Sequence, residues 1–144
     1  SDVYKRQVHS YAKLIAEMEN VDAKTLFILE TAALTHDIGI HLCEEKYGNC
    51  NGKLQEKEGP AIAAKLLTEL GFSREVSERV QYLIAHHHTY NNMDGIDYQI
   101  LVEADFLVNM CEDELSEEAL QNAYRNIFRT ETGKKICREM YDIA

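Results

Sequence analysis

The 144 residues make one domain's worth of chain, enough to enclose a single sizeable core. Twenty-five acidic against fifteen basic side chains give a formal charge of −10, which repels nucleic-acid backbones and anionic lipid and disfavours a nonspecific polyanion binder. One proline and seven glycines leave long stretches free to be helical and argue against a turn-rich β-sandwich.

The opening Ser1–Gln7 contains Asp-Val-Tyr-Lys-Arg-Gln, which resembles a translated transposon end of the kind used to prepare sequencing libraries. Those residues are expected to be foreign, with the true N-terminus lying upstream, and no chemistry is assigned to them. The single domain is therefore placed at 8–144. Val8, Tyr11, Leu14, Ile15 and Met18 recur at three- and four-residue steps and predict an amphipathic first helix. Asp22 is a good N-cap for a second, whose Leu26, Ile28, Leu29, Ala33 and Leu34 make it apolar nearly all round and hence central; Gly39 is placed to end it.

Residues 41 to 57 lack a clear period and read as a long irregular loop. Pro60 suits the first turn of a helix through Ile62, Leu66, Leu67 and Leu70, closed by Gly71. Ser73 caps a further helix carrying Val76, Val80, Leu83 and Ile84. A loop over 91–95 precedes a helix with Ile100, Leu101, Ala104 and Val108. Ser116 then opens another, and the last spans roughly Thr132 to Tyr141. The expectation is an all-α, compact bundle of about six to seven helices. No apolar run approaches the roughly 20 residues that span a bilayer, and no signal-peptide pattern opens the chain. Cys43, Cys50, Cys111 and Cys137 form no C-x-x-C pair and read as free thiols in a reducing cytosol.

Chemistry concentrates at His36-Asp37, which closes the apolar second helix in Ala32-Ala33-Leu34-Thr35-His36-Asp37-Ile38-Gly39. An imidazole and a carboxylate inside a buried segment are costly unless paired or bound to a cation. His9 lies near the apolar side of the first helix, and Asp105 stands between Ala104 and Phe106 on a later one. Two imidazoles and two carboxylates from three helices make a plausible octahedral N/O set, better suited to Mn, Fe, Co, Ni or Mg than to structural zinc. His86-His87-His88 form a second cluster. Helical phase puts His87 on the stripe of Val76, Val80 and Leu83, facing inward, with His86 at its shoulder and His88 more exposed.

The order His9, His36-Asp37, Asp105, together with "A-A-L-x-H-D-I-G" and "E-A-D-F-L", resembles the HD-domain metal-dependent phosphohydrolases, small stand-alone bacterial members above all. Their defining ligands are His, His-Asp and Asp in that order, and the likeness runs from His9 to about Tyr141. It implies an HD-like helical fold with one divalent metal on His9, His36, Asp37 and Asp105, Asp37 also orienting the nucleophile. A second metal or a phosphate contact falls to His86, His87 and Glu58. Glu58 stands where two-metal relatives carry histidine, and it or a histidine of 86–88 is the candidate general acid. Ile40, where diesterase-like relatives often carry lysine, counts against a cyclic-dinucleotide diesterase. Lys53 and Lys57 are weak phosphate-contact candidates. The implied activity is hydrolysis of a small phosphate ester or nucleotide in the cytosol, without a nucleic-acid polymer or membrane partner, by a monomer or homodimer. Two alternatives stand beside it: a non-catalytic metal- or nucleotide-binding module, and a di-iron oxygenase on the same fold.

Overall fold

The computed structural model describes residues 2–143 and shows eight helices among them and no strand. They run α1 (Asp2–Met18), α2 (Ala23–Thr35), α3 (Ile40–Tyr47), α4 (Gly52–Glu69), α5 (Arg74–His86), α6 (Ile96–Glu112), α7 (Glu117–Asn126) and α8 (Glu131–Tyr141). The start signals behave as the sequence suggests. Asp22, Ser73 and Ser116 each accept a hydrogen bond from the amide three residues on, as do Asn51 and Thr130.

α2 packs against α1, α5 and α6, while α6 packs against α1, α2 and α8, so these two apolar helices form the centre. Their buried side chains include Leu29, Ala32 and Ala33 from α2 and Ile100, Leu101, Ala104 and Leu107 from α6. α1 adds Val8, Ala12, Ile15 and Ala16, a four-residue stripe with one three-residue step. Each such Leu or Ile, moved wholly out of water, contributes roughly 2 kcal/mol. Leu14, Met18 and Leu34, expected on the apolar faces, are instead exposed.

The stretch predicted as loop over 41–57 is mostly helix. α3 occupies its first half, Gly48 (φ +75°) ends α3 in the left-handed region, and Asn51 caps α4. The missing signal has a plain cause. α3 buries only Cys43, so it carries no apolar period to read. α4 correspondingly begins eight residues before Pro60, which lies inside the helix and leaves the Glu56 carbonyl without its amide partner. Nearby, a Cβ on Gly39 would meet the Gly59 nitrogen at 2.8 Å, so the turn after α2 lies backbone-to-backbone against α4.

The expectation about apolar length needs one correction. Ala23–Tyr47 is long and apolar enough by composition to cross a membrane. It comprises α2, the His36–Gly39 turn and α3, and half of its apolar window is buried inside the fold, as a core segment would be.

Candidate metal centre

The start of α1, the end of α2, the end of α5 and the middle of α6 meet at one place, and the buried polar side chains collect there. His36 is the C-cap of α2, only 1% exposed, and its Nδ1 lies 2.8 Å from the Ala33 carbonyl. A carbonyl only accepts, so Nδ1 carries the hydrogen and a neutral ring presents a bare lone pair at Nε2. That Nε2 makes no hydrogen bond and faces Asp105 Oδ1 at 3.4 Å. Two electron-rich atoms so placed repel unless a proton or a metal cation sits between them. Asp37 Oδ1 is the other buried side-chain atom without a hydrogen-bond partner among the described residues; Lys5 Nζ lies 3.8 Å from it.

Asp105 accepts from the Tyr4 hydroxyl at 2.6 Å, and the Tyr4 and His36 rings are 5.8 Å apart. Burial opposes charge on both His36 and Asp105. Their mutual attraction wins nonetheless, raising the His36 pKa and, with help from His87 and Tyr4, lowering that of Asp105. Burial, then the Asp105 carboxylate, push the Tyr4 phenol up, so it stays a donor.

His87 faces inward as its phase predicts. It is fully buried, its Nδ1 lies 2.6 Å from the Ile84 carbonyl, and its ring meets that of His36 edge-on at 5.3 Å. Burial and the neighbouring His88 and His36 hold its pKa down at about 3, so it is neutral. Gln55 Oε1 lies 3.4 Å from His87 Nε2 and 3.2 Å from His88 Nε2. His88 is thus less exposed than its phase suggests. Its ring packs on Gly52, where a Cβ would meet it at 2.7 Å, and Glu56 accepts from its backbone amide. Tyr98 fixes this turn by donating to the His86 and Thr89 carbonyls.

Four predicted residues lie elsewhere. His9 is one-quarter exposed and its Nε2 pairs with Glu30 at 2.9 Å. Glu58 turns to α3, where Tyr47 at 2.8 Å and Lys46 at 3.1 Å lower its pKa; ionised at neutral pH, it is a poor proton donor. His86 stacks on Tyr82, centroids 4.1 Å apart, and its Nδ1 meets the Tyr82 carbonyl. Lys53 pairs with Glu56 and Thr89. Lys57, singled out with it, lies over the Tyr47 ring.

Tyr4, Lys5 and Gln55 escaped the sequence reading, which had His88 only as the more exposed member of its cluster. A signal for Tyr4 existed, since it stands four residues before Val8 and extends the buried stripe 8-12-16 by one turn. Beside the centre a cavity of about 230 Å³ is lined by Lys5, Asp37, Ile38, Ile40, His41 and Glu44.

As a test of fit, an imidazole nitrogen and a carboxylate oxygen without hydrogen-bond partners, with a second carboxylate 3.4 Å from the imidazole, are donor types chemically suited to a hard or borderline divalent cation. Among the described residues no three His, Cys, Asp or Glu side chains stand at coordinating distance round a common point, so His36, Asp37 and Asp105 would have to draw closer to hold an ion, and His9 is paired with Glu30 instead.

The model of one family, the HD domain, matches residues 6–134, nearly the whole chain. No curated protein and no solved structure matches it. The helical architecture and the His-Asp turn agree with that match, and the chain belongs to the HD-domain family, whose members are in general metal-dependent phosphohydrolases that bind divalent metals.

Proposed function

We propose that this protein hydrolyses a small phosphate ester or nucleotide with the help of a divalent cation held by His36, Asp37 and Asp105. The observation that carries the reading is the pair of buried side-chain atoms, His36 Nε2 and Asp37 Oδ1, that find no hydrogen-bond partner among the described residues. Leaving such groups unpaired costs several kcal/mol at most sites, so their persistence beside Asp105 points to a ligand.

A bound divalent cation would neutralise charge on phosphoryl oxygens and make a water more acidic. The chain's own residues do the rest. The Ala33 carbonyl fixes the His36 ring with its free lone pair inward. Tyr4 orients Asp105. Lys5 puts a positive charge at the cavity that reaches Asp37, where a phosphate would meet it. Manganese, iron, cobalt, nickel and magnesium all suit this N/O set.

Among further parts of the reading, the four free thiols fit a reducing cytosol. The charge of −10 favours a small substrate over a nucleic-acid polymer or a membrane surface. A homodimer is compatible with the exposed apolar residues of α1, Val3, Leu14 and Met18. Glu58, engaged by α3, gives the di-iron oxygenase alternative no support.

The test is turnover of a panel of phosphomonoesters and nucleotides with Mn(II) or Co(II). Asp37→Ala should abolish both metal occupancy and turnover. A variant that keeps both removes the proposal, and a nucleotide bound without turnover makes the domain a sensor.

A further inference from the structure

We infer that the seat on α1 for the metal centre is position 4, and that His9 is no part of it. The inference deepens the metal-centre reading above and rests on it. An α-helix advances roughly 100° per residue, so positions 4 and 9 are about 140° apart round α1. Both cannot face one ion, and the packing chooses between them. Position 4 continues the buried stripe of Val8, Ala12 and Ala16, whereas His9 stands off that stripe with its Nε2 on Glu30 of α2.

At position 4 the side chain reaches the centre itself. The Tyr4 hydroxyl reaches Asp105 at 2.6 Å and Asn109 at 3.0 Å, and the ring lies 5.8 Å from that of His36. The place that α1 presents there is taken by a phenol whose hydrogen goes to the Asp105 carboxylate, with Asn109 Oδ1 also within reach. An imidazole there would offer nitrogen to the space shared by His36 and Asp105.

The test is titration of the purified, metal-stripped chain with Co(II), read by calorimetry and by the visible d–d absorption, which changes when nitrogen replaces oxygen. Tyr4→His should bind Co(II) roughly tenfold or more tightly than the parent, with a shifted spectrum. His9→Ala should leave affinity and spectrum unchanged. As a second route, Tyr4→Ala opens the seat, and added imidazole should then shift its Co(II) spectrum but not that of His9→Ala. The inference is overturned if His9→Ala loses Co(II), or if neither Tyr4→His nor imidazole rescue changes the spectrum. When Asp37→Ala still abolishes binding in that case, the metal reading survives and only the seat is wrong. No Co(II) binding by parent and Tyr4→His alike would remove both.

Discussion

Glu103 and Asp105 stand two residues apart on α6, each a carboxylate and each at most 2% exposed, yet they live in opposite chemical situations. Glu103 is saturated by protein donors. It accepts from the Arg129 and Thr130 amides at 2.9 and 3.0 Å, from Thr130 Oγ1 at 2.7 Å and from Gln99 at 2.6 Å. The turn between α7 and α8 is built on it, so closely that a Cβ on Gly133 would collide with its Oε1. Asp105 has the Tyr4 hydroxyl and an imidazole nitrogen 3.4 Å away that makes no hydrogen bond to it. Burial of charge therefore says little by itself. What distinguishes the two carboxylates is how many of their lone pairs the protein has already used.

The sharpest way to break this comparison is to neutralise each carboxylate in turn. Asp105→Asn is expected to weaken Co(II) or Mn(II) binding by about 100-fold or more while lowering the Tm of metal-free protein less than Glu103→Gln does, since an amide can donate to His36 and still accept from Tyr4. Glu103→Gln should do the reverse. Metal affinity stays within about twofold, but stability falls by about 2–4 kcal/mol, because an amide group now faces backbone donors. Equal Tm losses in the two variants would erase the distinction.

Protonation gives a smaller effect with a definite sign. His87 has a pKa of about 3 in the fold, against about 6.5 in the unfolded chain. The unfolded chain binds that proton first, so metal-free protein should lose stability as pH falls from about 6.5 towards about 3. His36 acts oppositely. Its raised pKa stabilises below about 6.5, and that contribution fades as pH rises through the folded value. His87→Gln should flatten the acid limb of a Tm–pH curve, and a limb of unchanged slope would contradict a neutral buried imidazole. The smallest effect is expected at Lys53→Ala, whose exposed head pairs with Glu56; turnover should persist and Tm should shift by no more than about 2 °C. A large loss of turnover there would return Lys53 to the substrate.

Much of the site was legible because its residues violate the pattern around them. His36 and Asp37 interrupt an apolar helix, Asp105 interrupts another, and His87 sits on a stripe of Val and Leu. Each is a polar group where the helical period demands an apolar one, and each is buried as that reading requires. His9 was misplaced by the same kind of reasoning, because a stripe fixes which residues face inward only to about one position either way. Leu14 and Met18, counted as inward, are in solvent, and the true stripe 8-12-16 points to Tyr4. Glu58 was chosen for its place in the family pattern and Lys53 for its charge, neither of which follows from a helical period, and both are engaged by neighbouring side chains.

Sequence alone determined the all-helical class, most helix starts and the inward histidine and carboxylates, because caps and apolar periods act over a few residues and need no distant partner. Only the tertiary structure decided which of those buried groups meet. The length of α3, the contact of Gly39 with Gly59, the capture of His9 by Glu30 and the approach of Tyr4 to Asp105 all depend on helices far apart in the chain coming together. A helical period sets direction to within a turn, whereas coordination and hydrogen bonding are decided over fractions of an ångström.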